Sequence, residues 1–208
     1  MSFISLRFYR GLAWLGAVEA QNKLGCIYEE GIDVKKNNIL AYNYYLMSAE
    51  HGSPYGQANL GRLYEEGKGV NQDLKNAVFW YKKAADQDHS WAINTLGYFY
   101  SIGRGVKKDE GKAYIFYKKA ADLGYAWAQF NLAWIYYKGQ GVNKNYVATE
   151  QWYLKAAGQG LPQAQYNLGL LYIEGGDILQ NYSAAKKWFE KAYDAGCRDA
   201  KKQLDMLG

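Results

Sequence analysis

Two pairs of adjacent carboxylates are the residues of this 208-residue chain that are best suited to chemistry. Glu29-Glu30 and Glu65-Glu66 could act as acid/base dyads, because neighbouring carboxylates can differ in protonation state. The two pairs recur at equivalent positions, 36 residues apart. Since repetition of this kind is typical of a structural element, we interpret them as a solvated or partner-facing rim.

The two histidines and the glycine-rich segments offer weaker candidates for metal or phosphate chemistry. His51 and His89 have no cysteine or histidine at ligand spacing, and a positive charge near a helix C-terminus explains both. Gly67-x-Gly69 lacks the third glycine, the Lys-Ser/Thr step and the preceding strand of a phosphate loop. We expect no catalytic residue, no metal and no cofactor.

The bulk composition argues against several other classes of protein. The net charge is +5, and the basic residues are accompanied by clustered acidic ones, so we expect no nucleic-acid partner. The two cysteines, Cys26 and Cys197, are too far apart to suggest a disulfide, which favours a reducing compartment. Residues 1–16 lack the features of a secretion signal, and no stretch reaches the length of a membrane span. We therefore expect a cytoplasmic protein.

A repeat of 36 residues defines the elements that must position these groups. Its scaffold positions recur without a slip: Leu24-Gly25, Leu60-Gly61, Leu96-Gly97, Leu132-Ala133 and Leu168-Gly169. The same step separates Tyr28, Tyr64, Tyr100, Tyr136 and Tyr172. A fixed period of this size is typical of one supersecondary unit stacked along an axis.

Each repeat is predicted to contain two helices, as residues 54–90 illustrate. Helix A spans 54–66 and ends at Gly67, because glycine readily adopts the backbone angles of the turn that follows. Helix B spans 74–87, and Asp73 is placed to cap it. Equivalent caps are expected at Asn37, Asp109, Asn145 and Asn181. Gly61 in mid-helix costs about 1 kcal/mol relative to alanine. Because a glycine recurs at this position despite that cost, we expect a close helix–helix crossing there.

The fold class predicted from this pattern is all-α, a right-handed α/α solenoid of helix-turn-helix repeats that forms a tetratricopeptide-like superhelix. We expect a single domain over 1–208, because the period is unbroken. Its segments are an N-terminal half repeat (1–16), full repeats at 17–52, 53–88, 89–124, 125–160 and 161–196, and a C-terminal capping helix (197–208).

The repeats resemble those of the Sel-1-like repeat family, a relative of the tetratricopeptide repeat. The best copy runs from Ala58 to Ala85 and includes Leu60-Gly61, Tyr64 and Trp80-Tyr81. The resemblance implies a bacterial adaptor or scaffold for protein complexes. It also implies an alternative, since some members resemble immunity proteins that neutralise toxins delivered between bacteria. Asp33 and Asp177 depart from the pattern at the second turn glycine.

By the same resemblance, helix A lines the concave face and carries the partner-binding residues. The predicted site comprises Tyr55, Arg62, Glu65, Glu66, Trp91, Asn94, Tyr98, Trp127, Phe130, Trp134, Tyr137 and Tyr166. The same register also places Ala58, Lys138, Leu170 and Glu174 inward.

Four of these residues form what we call the aromatic stripe: Trp127, Phe130, Trp134 and Tyr137. They are spaced by three, four and three residues along one helix, so they share a face. We hypothesise an aromatic groove with an acidic rim toward the N-terminus, suited to an amphipathic helix or a peptide carrying basic residues. The alternative is that the stripe packs as core.

These observations predict a monomeric, non-enzymatic module that binds a protein or peptide in its concave face. The alternative function is an immunity protein that sequesters a secreted, type VI-like toxin effector. An enzyme, such as a hydrolase of peptidoglycan or lipid, would need a nucleophile–base or carboxylate cluster outside the repeated positions, and the sequence contains none.

Overall fold

The structure is a computed structural model that describes residues 3–207, with side chains described from Leu6 onward. The chain divides into two compact units, Met1–Lys108 (unit 1) and Asp109–Gly208 (unit 2). The ends of two predicted segments, residues 1 and 2 of 1–16 and residue 208 of 197–208, lie outside the described residues.

Both units consist of helices, and residues 3–207 contain no strand. Unit 1 contains α1 (Phe3–Trp14), α2 (Val18–Glu30), α3 (Asn38–Glu50), α4 (Pro54–Glu66), α5 (Leu74–Ala85) and α6 (Ser90–Ile102). Unit 2 contains α7 (Glu110–Asp122), α8 (Ala126–Lys138), α9 (Tyr146–Gly158), α10 (Pro162–Glu174), α11 (Tyr182–Asp194) and α12 (Asp199–Leu207). Even-numbered helices are helix A of the repeat and odd-numbered ones are helix B, so the all-α prediction is confirmed.

The predicted polar caps begin every complete helix B. Asn37 Oδ1 accepts a hydrogen bond from the Leu40 backbone N–H at 3.0 Å. Equivalent bonds are accepted by Asp73, Asp109, Asn145 and Asn181. Each bond satisfies a backbone donor that the first helical turn leaves unpaired, which is why these positions are restricted to Asp and Asn.

The turn after helix A depends on residues that tolerate a left-handed backbone. Gly67 ends α4 with φ of 68°, and Gly31, the equivalent residue, ends α2 with φ of 77°. Asp33 replaces the second glycine and still adopts a φ of 57°, because aspartate tolerates this region better than most residues. The last turn differs, since Gly175 has ψ of −92° and the next left-handed residue is Gly176.

The predicted close crossing between helices A and B is confirmed. A Cβ added to Gly61 would lie 3.0 Å from the Tyr81 ring and 3.2 Å from the Ala77 carbonyl oxygen. At Gly25 the equivalent distance, to the ring of Tyr45, would be only 2.5 Å. Glycine thus leaves room for the aromatic side chain of helix B to lie across helix A in these two repeats, whereas Ala133 occupies the equivalent position beside Tyr153.

The core of each unit is built from the repeated leucines and the small residues of helix B. The repeated leucines Leu24, Leu60, Leu96, Leu132 and Leu168 are all fully buried. Val70, in the turn after α4, packs against the core of unit 1. Among the helices of residues 3–207, none has both the length and the apolar character needed to cross a membrane.

Candidate functional site

The aromatic stripe lies on α8 in unit 2, opposite the face that is buried. Leu132, Ala133 and Ile135 point into the core, whereas Trp127 and Trp134 are 42% and 39% exposed. This division follows from helical geometry, because residues spaced by three and four share one side.

The other two residues of the stripe are half-buried. The Phe130 ring centroid lies 5.7 Å from that of Tyr153 on α9, and Tyr137 lies 5.7 Å from Trp134. The stripe thus combines two accessible indoles with two rings that anchor them to the unit. It is neither wholly core nor wholly surface.

A cavity of about 210 Å³ opens beside the stripe, between α8, α9 and α10. We call it the α8–α10 cavity. It is lined by Trp134, Tyr137, Lys138, Tyr153, Asn167, Leu170, Leu171 and Glu174. Trp134, Tyr137, Lys138, Leu170 and Glu174 were placed inward by the sequence register. Tyr153, Asn167 and Leu171 were missed. Nothing in the sequence shows that a helix B tyrosine such as Tyr153 reaches the helix A face, and the register did not place Asn167 or Leu171 of α10 inward.

The rim of the cavity is organised around Glu174. Its carboxylate accepts hydrogen bonds from the Tyr137 and Tyr146 hydroxyls at 2.6 and 2.7 Å. These bonds stabilise the ionised form and hold the pKa of Glu174 below its usual value. The bond to Glu174, together with burial, raises the pKa of Tyr137 to about 12. Lys138 Nζ lies 4.7 Å from the Trp134 ring centroid, a cation–π geometry.

The floor of the cavity is polar at one point. Tyr153 is only 2% exposed, and its hydroxyl oxygen accepts a hydrogen bond from Asn167 Nδ2 at 3.2 Å. Burial raises the pKa of Tyr153, so the hydroxyl keeps its proton at any physiological pH. The cavity therefore has apolar walls with a hydroxyl group at its base.

The predicted acidic rim of unit 1 is tied into ion pairs. Arg62 donates to both oxygens of Glu29, each at 2.6 Å, and its guanidinium lies 3.4 Å from Glu66. Lys68 pairs with Glu66 at 2.6 Å. Two predicted site residues, Arg62 and Glu66, therefore belong to a partly exposed network of ion pairs.

This network argues against acid/base chemistry by the carboxylate pairs. Glu65 accepts from the Tyr81 hydroxyl at 2.8 Å and lies 3.4 Å from Arg104. Burial opposes ionisation of Glu29, but the hydrogen bonds and charge of Arg62 outweigh it and hold the pKa of Glu29 below its usual value. A carboxylate held ionised in this way cannot deliver a proton near neutral pH. The arrangement is that of a structural ion pair between α2 and α4.

The remaining predicted residues are accessible to different degrees. Tyr55 and Tyr98 are exposed, whereas Trp91, Asn94 and Tyr166 are half-buried. Trp91 packs edge-on against Tyr81 at 5.7 Å, and Tyr166 lies 5.6 Å from Phe189. The inward placement of Ala58 is wrong, because Ala58 is buried in the helix packing.

The predicted position near a helix C-terminus is correct for only one of the two histidines. His51 does follow the end of α3, where Nδ1 lies 2.9 Å from Gln21 Oε1. His89 instead precedes α6 and accepts a hydrogen bond from the Ala92 N–H at 3.3 Å. Burial lowers the pKa of His89, which favours the neutral acceptor that a helix N-terminus requires.

Five successive matches to the Sel1 repeat model cover most of the chain. They span residues 18–53, 54–89, 92–125, 128–161 and 162–197. The chain belongs to the Sel1 repeat family. These matches agree with the helix pairs of the structure and support the solenoid class predicted from the sequence. Sel1 repeat proteins generally mediate protein–protein interaction and act as non-catalytic scaffolds.

Solved structures of Sel1 repeat proteins are similar to this chain. A Sel1 repeat protein from Oxalobacter formigenes is 31% identical, with a TM-score of 0.85 over 97% of this chain and 83% of that one. A protective antigen of uropathogenic Escherichia coli with this fold is 31% identical, with a TM-score of 0.66. That match covers 97% of this chain and 51% of the antigen, so the chain spans about half of its length.

An immunity protein from Pseudomonas aeruginosa shares the fold at lower identity. It is 24% identical, with a TM-score of 0.60 over 88% of this chain and 67% of that protein. No curated protein sequence matches the chain significantly.

Proposed function

We propose that this Sel1 repeat protein is a binding module that docks a protein or peptide on the helix A face of unit 2. The observation that carries the proposal is the pair of exposed indoles, Trp127 and Trp134, beside the α8–α10 cavity. Tryptophan is enriched among the residues that dominate binding energy. The pocket next to these indoles can accept a side chain of the partner.

The acidic rim of unit 1 is a different kind of surface, because Glu29, Glu65 and Glu66 already lie in ion pairs. The ion pairs of Glu29, Glu66 and Arg62 leave little unbalanced charge for a basic peptide. We therefore assign the main contact with the partner to the aromatic stripe in unit 2. The acidic rim of unit 1 has a secondary role. The concave position of this face, the single domain over 1–208, the monomeric state and the cytoplasmic location stay predictions.

A comparison of two double variants tests the proposal. Trp127→Ala/Trp134→Ala removes the exposed indoles, whereas Val147→Ala/Leu154→Ala removes exposed apolar side chains of α9. Proteins that bind the wild type and the α9 variant but not the stripe variant are identified by mass spectrometry and purified. We expect Trp134→Ala alone to weaken the purified complex by about 2 kcal/mol or more.

Thermal unfolding supplies the control for this experiment. Because both indoles are substantially exposed, the stripe variant should melt close to the wild type. Unfolding of Trp134→Ala would place the stripe in the core. Equal binding by both double variants would move the docking site to another surface.

The immunity function remains the alternative, supported by a fold shared with immunity proteins at 24% and 23% identity. A toxin gene beside this one, whose product forms a complex that Trp134→Ala weakens, would favour it. The absence of catalysis is tested by assaying turnover of ester and glycan substrates, where we expect none above the buffer rate.

A further inference from the structure

A buried tyrosine recurs on helix B, and in the first two full repeats its hydroxyl donates to a glutamate of the same repeat. Tyr45 donates to Glu29 Oε2 at 2.9 Å, and Tyr81 donates to Glu65 Oε2 at 2.8 Å. In both cases the acceptor belongs to the preceding helix A, sixteen residues earlier. Tyr153 is the equivalent residue of the fourth full repeat.

Tyr153 lacks this acceptor, because Tyr137 stands where the glutamate would be. Tyr137 donates its own hydroxyl to Glu174. The Tyr153 oxygen accepts from Asn167, whereas its hydrogen has no acceptor within residues 3–207. The hydroxyl hydrogen at the floor of the cavity is therefore available to an incoming oxygen.

A second donor lies at the rim of the same cavity. Lys138 lies over the Trp134 and Tyr137 rings, at 4.7 and 5.0 Å from their centroids. It forms no ion pair with any residue of the described part of the chain. Glu174, the acidic residue of the lining, accepts from two tyrosines, and the charge of Lys138 helps to lower the pKa of Glu174 without a direct ion pair. The Tyr153 hydroxyl and an ammonium without a direct ion pair are two donors from which an incoming carboxylate can accept.

The size of the cavity limits what can fill it. Its volume of about 210 Å³ is below the roughly 300–1,000 Å³ of sites for free small molecules, and suits one side chain of a larger partner. Leu170, Leu171 and Trp134 supply apolar walls for the stem of that side chain. The indole of Trp127 extends the apolar surface outside the cavity.

We infer that the α8–α10 cavity binds a carboxylate of the partner segment, flanked in that segment by a large apolar residue that packs on the stripe. This inference rests on the proposed function and deepens it. The carboxylate accepts from the Tyr153 hydroxyl and pairs with Lys138, while the apolar neighbour covers Trp127 and Trp134. The partner sequence is therefore acidic and apolar, in contrast to the basic peptide expected from the sequence alone.

Selection from a library of random twelve-residue peptides, displayed with their C-termini fused to the carrier, tests the inference. We expect the selected sequences to be enriched in Asp or Glu next to Leu, Phe or Trp. Selected peptides are then synthesised with amidated and with free C-termini, and Kd is measured by calorimetry. Equal affinity of the two forms identifies a side-chain carboxylate, whereas a gain of tenfold or more for the free form identifies a chain terminus.

Two variants separate the carboxylate contact from the rest of the site. Tyr153→Phe and Lys138→Gln should each weaken binding about tenfold, and raising the salt concentration should reduce the effect of Lys138→Gln. Tyr81→Phe is the matched control, because it removes the equivalent hydroxyl in unit 1, and it should leave Kd unchanged. Phenylalanine fits this column, since Phe189 occupies it in the last repeat, so Tyr153→Phe should remain folded.

The outcomes distinguish this inference from the proposed function. Peptides that depend on Trp127 and Trp134 but lack acidic residues, or bind Tyr153→Phe and Lys138→Gln as tightly as the wild type, overturn the inference alone. A library that yields no binder, or only binders indifferent to the two tryptophans, overturns both.

Discussion

Gln159 donates its side-chain amide to Gln129 Oε1 at 2.8 Å and to the Gly124 carbonyl at 2.9 Å. The same arrangement joins Gln87 to Gln57 in unit 1. Each buried glutamine of helix A also donates to the end of the preceding helix B, as Gln129 does to the Ala121 carbonyl. These side chains thus connect successive helix pairs within a unit.

The last repeat has only half of this arrangement. Gln165 donates to the Ala157 carbonyl, but its buried Oε1 has no hydrogen-bond partner among the described residues. The donor position is occupied by Ala195, whose φ and ψ of −82° and 8° nearly equal the −83° and 5° of Gln159. A glutamine at this position would therefore reach the orphaned oxygen.

We predict that Ala195→Gln raises the free energy of unfolding by about 1 kcal/mol, because it supplies the missing hydrogen bond. Urea denaturation followed by circular dichroism measures the change. Ala195→Leu is the control, since it adds a side chain of similar size that cannot donate. A glutamine variant no more stable than the leucine variant would show that Gln165 gains nothing from a partner.

The second prediction concerns the helix crossing at Gly61. Gly61→Leu should lower the free energy of unfolding by roughly 1–3 kcal/mol, because a side chain there would displace the Tyr81 ring. Gly11→Leu is the matched control, since the space around a Cβ at Gly11 in α1 is open. Thermal melts should separate the two variants clearly. Equal melting temperatures would contradict the crossing.

The third prediction concerns the ion pair between Glu29 and Arg62. The pKa of Glu29 is lower in the folded state than in the unfolded one, so the pair stabilises the protein above the unfolded pKa, near 4.3. This contribution is lost as the pH falls through the folded pKa. Wild type should therefore exceed Glu29→Gln in stability by about 1–3 kcal/mol at pH 7, and the difference should shrink below pH 4.

Denaturation between pH 3 and pH 7 measures this difference. The exposed pair of Lys201 and Asp205 on α12 serves as a control, because solvent screens it. The difference in stability between wild type and Asp205→Asn should not change between pH 3 and pH 7. A constant gap between wild type and Glu29→Gln across the whole range would mean that the pair contributes through packing rather than charge.

Most of the fold could be predicted because its determinants are local. The caps, such as Asp73, bond to backbone groups only two or three residues away. The glycine after helix A acts through its own backbone angles, and the helices follow from spacings of three and four. These determinants recur with the period. Where the sequence departs from it, at Asp33, the turn keeps a positive φ because aspartate tolerates this conformation.

The candidate site could be predicted only in part. The helical register placed Trp127 and Trp134 on one side of α8, and the structure leaves both accessible. The same register made Glu29 and Glu66 a rim for a basic partner, but their charges are already paired with Arg62 and Lys68. Sequence spacing assigns a side chain to a face but does not identify its neighbours.

By itself, the sequence determined the period, the helix pairs, their caps and turns, and the helix face that carries the aromatic stripe. Apart from the period itself, each of these follows from residues that are two to four positions apart in the chain. The tertiary structure decided which charges are neutralised, which hydroxyl lacks an acceptor and where a cavity opens. Those outcomes depend on contacts such as Tyr137 with Glu174, 37 residues apart, which arise only when neighbouring repeats pack at van der Waals distance.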